Sequence, residues 1–333
     1  MYKSILMSSR PDAVEVYTPA VIAKLKTKAA LLHDGFITGA DLDKRRGVLS
    51  QAEFIFATWG MPALTEDQIA EYLPNLKCIF YAASSVHSFA MPFLNRGVRI
   101  FNAWDSMSKP VAEFCVSAIV LANKGFFRLF NRTKRTQEDY WSQSHHCKGN
   151  VGRCVGLVGL GRIGKYTAQL LKAFDLKVYT YTIGMAAEET AAYGAELVDI
   201  EFLMRECDVI SNHLADNAGT KNFFDYRLLS LMKDDAVFLN TGLRGQVDEP
   251  ALIRALMDKP DRCAVLDNMW PVESEEKNPI YDLPNVFVPP TLAGNLGNEK
   301  QELANEVVET FFKYINGEKI ETEMLPDMLK YMA

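Results

Sequence analysis

Residues 155–164 read Val-Gly-Leu-Val-Gly-Leu-Gly-Arg-Ile-Gly, an apolar run followed by glycines at 159, 161 and 164. A helical pattern and a second apolar run follow. Strand, glycine turn, helix and strand together are typical of a dinucleotide-binding βαβ unit. Gly159 permits the tight turn, Gly161 lets the backbone approach a pyrophosphate, and Gly164 lets the helix pack on the strand while its N-terminus faces the phosphates. The sequence therefore predicts binding of NAD or NADP.

The choice between NAD and NADP depends on the end of the second strand. An NAD site normally carries Asp or Glu about 20 residues beyond the glycines, where it binds the ribose 2′-OH. Thr182 occupies that place, 18 residues after Gly164. Its hydroxyl can meet a 2′-OH and carries no charge that would repel a 2′-phosphate, but no Arg follows in residues 183–187. Both cofactors stay open, with NAD slightly favoured.

The bulk composition narrows the class of protein. A chain of 333 residues predicts two domains, and 48% hydrophobic with 23% charged residues is typical of a globular protein. The net charge of -6 disfavours a nucleic-acid partner, which needs a concentrated basic surface. A short basic cluster is interpreted as a solvated helix face or a subunit contact; it consists of Arg128, Arg132, Lys134 and Arg135.

Six cysteines occur without a CxxC pair or a histidine at metal-ligand spacing, so the sequence predicts neither a metal site nor a disulfide framework. The apolar run at Met1 is too short for a signal peptide, and no stretch approaches the roughly 20 apolar residues of a membrane span. We therefore expect a cytoplasmic protein with no membrane partner.

Two alternations of apolar runs and amphipathic stretches predict two α/β domains with parallel sheets. In the first, strands are predicted at Ser4–Met7, Phe54–Thr58, Lys77–Tyr81 and Val98–Phe101. The second predicts a doubly wound sheet of six parallel strands: Val155–Val158, Lys177–Tyr181, Val209–His213, Ala236–Leu239, Cys263–Leu266 and Val286–Val288. Between them an apolar helix is predicted from Val111 to Ala122, with Pro110 in its first turn. The polar stretch Phe126 to Lys148 is interpreted as a surface excursion or a dimer arm.

Short motifs follow one another in a fixed order along nearly the whole chain. They are Gly97-Val-Arg-Ile with Asn102, Val111-Ala-Glu-Phe114, residues 156–164, Cys207–His213, Met232-Lys233, Asn240–Glu249, Leu266-Asp267 and Leu283–Val286. In this order they resemble the D-isomer-specific 2-hydroxyacid dehydrogenases, the family that includes phosphoglycerate dehydrogenase and glyoxylate/hydroxypyruvate reductase.

The resemblance implies two Rossmann-like domains. A flavodoxin-like substrate domain would comprise residues 1–103 and 296–333, reached through a return helix at Gly297–Tyr314. A doubly wound dinucleotide-binding domain would comprise residues 104–295, with a cleft at the junction. Family members form dimers through the cofactor domains, so a homodimer is expected, with residues 111–141 contributing to the contact.

The resemblance also implies which residues meet the dinucleotide. Besides the three glycines, the expected set is Arg162, Ile163, Thr182, His213, Leu214, Ala215, Thr220, Thr241, Gly242, Leu243, Asp267, Thr291 and Ala293.

The family moves a hydride between nicotinamide C4 and substrate C2, while an Arg clamps the 2-oxo acid and a His backed by a Glu moves the proton. These roles follow from the chemistry, because an alkoxide developing at C2 needs a proton donor and a cation beside it. Here Pro290-Thr291-Leu-Ala293-Gly294 stands where the family has Pro-His-x-Ala-Gly, and no histidine follows His213. A Thr hydroxyl does not serve as a general acid near neutral pH.

The Arg and the Glu are both displaced by one residue. Counting without gaps places Leu243 and Val272 at the two positions, with Arg244 and Glu273 each one residue later. Substitution is one explanation; a local bulge that restores Arg244 to the cleft is the other. Arg244 is either an anion clamp or a surface Arg, and Glu273 lacks the His that it would orient. Both are kept as candidate catalytic residues.

The family's substrate loop, whose backbone N–H groups meet the substrate carboxylate, corresponds to residues 83–87. Ser84, Ser85 and Val86 are therefore expected to bind substrate, together with Arg244. His87 titrates in the useful range and is a candidate replacement acid or base. The alternative is a loop histidine that faces solvent.

Three functions are compatible with these residues. The first is an NAD(P)-dependent oxidoreductase acting on a small 2-oxo or 2-hydroxy acid, or a related compound, with non-standard acid/base residues. The second is a dinucleotide-binding sensor or partner protein with weak or no turnover, which a missing proton donor would suit. The third is an enzyme that uses a tightly bound NAD for an internal redox step, such as elimination or epimerisation.

Overall fold

In the computed structural model the chain forms two compact units. Unit 1 comprises Met1–Met107 and Asn295–Ala333, and unit 2 comprises Ser108–Gly294. The structure describes residues 1–130, 136–145, 147–267 and 278–330. The units thus divide at 107/108 and 294/295, whereas the sequence placed the divisions at 103/104 and 295/296.

Unit 1 is built on a sheet in which six strands are described. They are β1 (Tyr2–Met7), β2 (Ala29–Ile37), β3 (Phe54–Ala57), β4 (Cys78–Tyr81), β5 (Arg99–Asn102) and β13 (Glu323–Met324). Their order is β13-β5-β4-β3-β1-β2, and all pairs are parallel except β13 with β5. The carboxyl ends of five strands therefore share one edge of the sheet.

Helices cover both faces of this sheet. They are α1 (Ala13–Val16), α2 (Pro19–Lys26), α3 (Arg46–Leu49), α4 (Glu66–Tyr72), α5 (Ala90–Asn95) and α14 (Glu299–Ile315). Helix α14 supplies Phe311, whose ring packs edge-on against Phe56 and Phe80 at centroid distances of 5.2 and 5.4 Å. All three rings are buried, so the last long helix of the chain completes a core begun by its first strands.

Unit 2 is built on a sheet in which seven strands are described. They are β6 (Arg153–Val158), β7 (Leu176–Tyr181), β8 (Glu196–Leu197), β9 (Val209–Asn212), β10 (Val237–Asn240), β11 (Cys263–Leu266) and β12 (Val286–Phe287). The order β12-β11-β10-β9-β6-β7-β8 is parallel throughout. The strand order reverses at β6, which is where open α/β sheets bind ligands.

The helices of unit 2 complete its doubly wound architecture. They are α7 (Phe126–Phe130), α8 (Gln137–His145), α9 (Arg162–Leu171), α10 (Ala187–Ala192), α11 (Ile200–Glu206), α12 (Tyr226–Leu229) and α13 (Glu249–Asp258). Buried apolar residues lie on both faces of the sheet. The predicted α/β class with two mainly parallel sheets is confirmed.

The prediction for the apolar helix was wrong at its N-terminus. Helix α6 runs from Trp104 to Asn123, and Pro110 lies inside it rather than in the first turn. A proline has no N–H to donate to the carbonyl four residues earlier, here that of Ser106. Asn295 Nδ2 donates to this carbonyl at 2.9 Å. The side-chain amide of Asn295, a residue distant in sequence, thus replaces the missing helical bond.

Among the described helices, none combines the length and apolar character needed to cross a bilayer. The His, Cys, Asp and Glu side chains of the described residues form no group of three that could hold a metal ion.

Candidate functional site

The glycine turn after β6 has the geometry that its three glycines predict. Gly159 adopts φ +97°, and a Cβ there would lie 2.8 Å from the carbonyl oxygen of His213. A Cβ on Gly164 would overlap the carbonyl oxygen of Gly159, which shows how closely α9 packs on the turn. A Cβ on Gly161 would meet nothing within 4 Å. The open space thus lies at the glycine whose backbone is expected to approach a phosphate.

Helix α9 begins at Arg162, with Gly161 as its N-cap and no capping side chain. Its first N–H groups therefore keep their hydrogen-bonding capacity, and their partial positive charge favours an anion. Ile163 packs against the apolar core, whereas Gly161 is exposed. An uncapped helix beside an open glycine fits the pyrophosphate of a dinucleotide.

Thr182 lies directly after β7 and contacts the same turn. Its Oγ1 accepts a hydrogen bond from Leu160 N at 3.3 Å. The oxygen is thus tied to the glycine turn, and the hydroxyl proton remains available to a ligand. Ile183 beside it is 82% exposed, so the edge past Thr182 opens to solvent.

A buried network of amides joins the loops after β9 and β10, and sequence reasoning missed it. Asn212 Nδ2 donates to Asn240 Oδ1 at 2.8 Å and to Gln246 Oε1 at 2.6 Å. Gln246 Nε2 donates to the carbonyl of Leu214 at 2.8 Å, and Leu214 N donates back to Asn212 Oδ1 at 3.0 Å. Asn240 Oδ1 also accepts from Gly242 N at 3.1 Å. Because all three amides are buried, the network fixes both loops.

His213 directly follows β9 and is half-buried. Its Nε2 lies 2.9 Å from Ser211 Oγ, while its Nδ1 is buried and has no partner within the described part of the chain. Burial lowers the pKa of His213 to about 4, so the imidazole is neutral near pH 7. On the neighbouring strand end, Thr241 Oγ1 lies 3.5 Å from the Sγ of Cys115, whose pKa burial raises to about 12. Both predicted cofactor residues are therefore at the sheet edge, with neutral partners.

Thr220 orders the loop that includes Ala215. Its hydroxyl donates to the carbonyl of Ala215 at 2.7 Å, and its oxygen accepts from Asn217 N at 3.1 Å. Thr220 thus has an internal role, which is compatible with shaping a surface against a bound dinucleotide.

Asp267, after β11, holds the segment that follows β12. Its carboxylate oxygens accept Leu292 N at 2.7 Å and Ala293 N at 3.0 Å, and its carbonyl accepts Thr291 N at 3.1 Å. Burial raises the pKa of the Asp267 carboxyl, and the two backbone donors only partly oppose this shift. Thr291 adopts φ +56°, which is rare for a β-branched residue. Thr291, which the sequence motif aligns with the family's histidine, is thus held in a strained conformation.

Arg244 lies in a 3-10 turn after β10 and pairs with a carboxylate. Its Nε and Nη2 lie 2.9 and 2.8 Å from Glu249 Oε2, and Asn278 Nδ2 donates to the other oxygen of Glu249. Strand β10 pairs with β9 and β11 in continuous register as far as Asn240, and Arg244 lies in the turn beyond the strand end. Leu243, which counting without gaps aligns with the family's Arg, is 42% exposed.

In unit 1 the loop after β4 carries the predicted substrate-binding residues. Val86 is buried and anchors the loop, with its carbonyl accepting Ala90 N at 2.9 Å. Ser85 and His87 are exposed, and Ser84 is half-buried. Among the described residues, the N–H groups of Ser84, Ser85 and Val86 donate to no main-chain carbonyl. They remain available to a substrate carboxylate.

The same edge of unit 1 holds a cation and an indole that sequence reasoning missed. Arg10 binds both carboxylate oxygens of Asp12, at 2.9 and 2.7 Å, and its guanidinium lies 6.0 Å from the ring centroid of Trp59. Ser8 Oγ donates to the carbonyl of Trp59 at 2.6 Å and fixes the two loops together. These residues lack a motif, so only the strand order reveals their proximity. The remaining candidate, Glu273, lies outside the described residues.

Comparison with known proteins gives a consistent result. The family model for "D-isomer specific 2-hydroxyacid dehydrogenase, NAD binding domain" matches residues 119–293. D-3-phosphoglycerate dehydrogenase of Mycobacterium tuberculosis (strain ATCC 25618 / H37Rv) is 27% identical over 286 residues, which cover 85% of this chain and 53% of that protein. Glyoxylate reductase of Thermofilum pendens (strain DSM 2475 / Hrk 5) is 27% identical over 258 residues, 75% of each chain. This chain spans about half the length of the phosphoglycerate dehydrogenases that it matches.

A solved acyclic imino acid reductase in complex with NADPH and D-Arg has a TM-score of 0.72 and 24% identity to this chain. The match covers 97% of this chain and 100% of the other, and it shows a shared fold. The family model alone spans 175 of the 333 residues. The chain belongs to the D-isomer-specific 2-hydroxyacid dehydrogenase family, and its matched domain is a nicotinamide-dinucleotide-binding domain.

Proposed function

We propose that the protein is an NAD(P)-dependent oxidoreductase that moves a hydride between the dinucleotide and C2 of a small 2-oxo or 2-hydroxy acid, or a related compound. The glycine turn carries this proposal, because Gly161 leaves an open space directly at an uncapped helix N-terminus. The segments bearing Thr241 and Thr291 lie at the same sheet edge, after strands β10 and β12.

The bound dinucleotide supplies the hydride. The residues of unit 2 bind and orient it: the first turn of α9 takes the pyrophosphate, and Thr182 donates its hydroxyl proton to the adenosine ribose. The amide network of Asn212, Asn240 and Gln246 keeps the loops after β9 and β10 at fixed positions against the dinucleotide. This rigidity supports transfer, because hydride donor and acceptor must be held in contact.

We propose NAD rather than NADP as the preferred cofactor. Thr182 can donate to a ribose hydroxyl, since its oxygen is already engaged by Leu160 N. The segment from Ile183 to Ala187 contains no Arg or Lys that would bind a 2′-phosphate. The preference is expected to be modest, because no carboxylate at Thr182 repels that phosphate.

The substrate carboxylate is proposed to bind the N–H groups of Ser84, Ser85 and Val86 in unit 1. Within unit 2, Arg244 is proposed as an anion-binding cation that Glu249 orients. Glu249 occupies two of the five N–H donors of Arg244 with a single oxygen. Glu249 thus orients Arg244, which lies one residue after the position that counting without gaps aligns with the family's Arg.

The experiment is a titration of purified protein with NADH and NADPH followed by turnover with glyoxylate, hydroxypyruvate and pyruvate. The proposal predicts tighter binding of NADH and oxidation dependent on substrate. Thermal stabilisation by dinucleotide without any oxidation would instead support the sensor hypothesis. Dinucleotide absorbance that survives extensive dialysis would support internal redox chemistry.

We also propose a homodimer through unit 2. A cavity of about 510 Å³ on this unit is lined mainly by apolar side chains, among them Phe114, Leu121, Phe127, Phe287 and Leu292. Phe130 is 61% exposed and contacts Phe287 of this lining at a centroid distance of 6.3 Å, so the ring and the cavity form one apolar patch, which is typical of an interface. Light scattering after gel filtration should give a molar mass twice the 37.4 kDa of one chain. The Phe130→Asp variant should have the molar mass of a single chain.

A further inference from the structure

We propose that unit 2 binds one halide-sized anion, such as chloride, in a small cavity at the amino-terminal edge of its sheet. The cavity has a volume of about 20 Å³, and its lining includes Asn123, Arg128, Lys148, Arg153, Asp208 and Asp235. A space of this size holds one water molecule or one monatomic ion. The charges of the lining decide which of the two it takes.

This cavity is separate from the dinucleotide site. Arg153 begins β6 and Asp208 directly precedes β9, whereas the glycine turn follows the opposite end of β6. At about 3.3 Å per residue, strand β6 separates the two places by roughly 20 Å. The inference therefore concerns a second site and does not rest on the proposed hydride transfer.

The first group of charges surrounds Asp208, which is 7% exposed. Its carboxylate pairs with Arg153 and with Lys233, whose Nζ lies 3.1 Å from Oδ1. The other oxygen, Oδ2, accepts the N–H of Cys154 at 2.9 Å. Two cations and a backbone donor thus share one buried carboxylate.

The second group surrounds Asp235, just before β10. Lys148 Nζ and Arg128 Nη1 lie 2.9 and 3.8 Å from its Oδ2. Burial raises the pKa of Asp235, but Lys148, Arg128 and Arg153 together hold it below its ordinary value. Among the described residues, the ion pairs of the two groups join four cations to two carboxylates, which leaves two positive charges in excess. This excess favours an anion in the cavity.

Arg153 also has a donor that the described residues do not use. Its side chain is 19% exposed, and its Nε is buried without a hydrogen-bond partner in the described part of the chain. A buried N–H of a charged group costs stability when it has no acceptor. A halide beside Arg153 would accept this hydrogen bond and offset the excess charge at once.

Asn123 distinguishes how the two occupants would be held. Its Nδ2 donates to Asn150 Oδ1 at 3.0 Å, while its Oδ1 is buried and unpartnered within the described residues. A water would accept from Arg153 Nε and donate to this oxygen. If both amides exchange their O and N positions, their mutual bond is kept and Asn123 offers an N–H instead. The excess of positive charge favours this second arrangement, in which an anion is bound.

The position of the cavity suggests what the anion does. Arg128 lies on α7, where the polar excursion at residues 126–148 begins, and Lys148 lies where it ends. An anion between them reduces the repulsion of the two cations and holds both ends of the excursion to the sheet. Trypsin cleavage within residues 126–148 should therefore slow several-fold in chloride. An unchanged cleavage rate would contradict this role.

The main test is a thermal melt of the purified full chain in sodium gluconate, in which sodium chloride replaces gluconate at constant total salt. Gluconate is too large for the cavity, so only chloride occupies it. We expect the melting temperature to rise and then saturate, by roughly 3 °C when chloride is about tenfold above its dissociation constant. A melting temperature that ignores chloride, or rises without saturation, would overturn the proposal.

Two matched variants test the donor. Arg153→Lys keeps the positive charge and an ion pair with Asp208 but lacks the Nε donor, so the chloride-dependent rise should disappear. Arg205→Lys is the control, because Arg205 pairs with Glu201 on the exposed surface of α11. Its rise should equal that of the wild type. A full rise in Arg153→Lys would overturn the assignment of the site.

The Asp235→Asn variant tests the charge, and its expected effect has the opposite sign. Removing this carboxylate should tighten chloride binding at least about tenfold, because it increases the positive excess. The same variant should melt at a lower temperature in gluconate, since Lys148 loses its ion pair. Unchanged or weaker chloride binding would contradict the electrostatic argument.

Bromide can locate the ion directly. Crystals of the full chain grown in sodium bromide should give an anomalous scattering peak in contact with Arg153 Nε. Density at that place without an anomalous signal would identify a water molecule and overturn the proposal.

Discussion

The main-chain N–H of Thr291 donates to the carbonyl of Asp267 at 3.1 Å and helps to hold a β-branched residue at φ +56°. The next two N–H groups bind the Asp267 carboxylate, so three consecutive donors point at one residue. Left-handed backbone costs most L-residues about 1–2 kcal/mol. Asp267 therefore maintains a conformation that the Thr291 side chain opposes.

Thr291→Asn should stabilise the protein, because Asn adopts the left-handed region more readily than Thr. We expect the free energy of unfolding, measured in urea, to rise by roughly 0.5–1 kcal/mol. Thr291→Val keeps the branched Cβ and removes only the hydroxyl, so it serves as the matched control. A gain for Val equal to that for Asn would contradict the strain argument.

His213 should make the protein sensitive to acid. Its pKa falls from 6.5 to about 4 on folding, so the unfolded chain binds a proton first. Its stabilising contribution is complete above pH 6.5 and is lost as the pH falls through 4, on the order of 3 kcal/mol in total. Unfolding of wild type and His213→Gln, followed from pH 8 to 4, should give parallel curves above pH 7. Below that, the wild type should lose stability faster, and parallel curves throughout would refute the assignment.

The amide network should be sensitive to the loss of one member. Gln246→Leu leaves the Leu214 carbonyl without its donor and removes an acceptor from Asn212, so we expect a loss of about 2–3 kcal/mol. Dinucleotide affinity should fall too, because both loops lose their link. Gln169→Leu on the exposed surface of α9 is the control and should change stability by less than about 0.5 kcal/mol. Equal effects of the two variants would show that the network contributes neither to the free energy of unfolding nor to dinucleotide affinity.

The two glycines of the turn should separate folding from binding. Gly161→Ala has room for its Cβ, so the protein should keep its melting temperature while dinucleotide affinity falls about tenfold, or 1.4 kcal/mol. Gly159→Ala combines positive φ with a 2.8 Å approach to His213 O, so it should unfold more easily, by about 2 kcal/mol or more. Calorimetry measures the stability of both variants, and fluorescence titration measures their dinucleotide affinity. Wild-type affinity in Gly161→Ala would contradict the assigned phosphate position.

The Arg244→Lys variant tests whether Arg244 binds the substrate carboxylate. A Lys cannot keep both Glu249 and a substrate carboxylate in fork geometry, so KM should rise about tenfold with a smaller change in kcat. Arg227→Lys is the control, since Arg227 pairs with Glu201 on the exposed surface. An unchanged KM in the Arg244 variant would assign this residue to the surface loop.

The sequence was sufficient to predict the glycine turn, because only glycine fits at its tightest positions. Gly159 and Gly164 could be assigned because a Cβ at either position would collide with backbone. The spacing of the glycines in the sequence was enough to predict these close contacts. The Asn212, Asn240 and Gln246 network escaped notice because amides occur in many settings. Its one sequence signal was Asn at the end of two buried strands, and pairing them needs the strand order.

Strand prediction failed where the apolar pattern is irregular. Strand β2 contains Asp34 and Gly35, and its pairing with β1 shifts register between Ser4 and Leu6, which blurs the alternation of buried residues. Strands β8 and β13 have two residues each, too few to show any period. The start of α6 was misplaced because Pro110 normally marks a first turn, and Asn295 lies 185 residues beyond it in the sequence.

Helix α14 has a consequence for biosynthesis. Its buried Leu303, Val307 and Phe311 belong to the same core as the strands near the start of the chain. As the ribosome extends the polypeptide, unit 2 emerges complete before those side chains exist. The first half of unit 1 must therefore wait, with Phe56 and Phe80 lacking their cover, until residues 299–315 have left the exit tunnel. Chaperones that shield nascent apolar surface should engage this chain early and release it late.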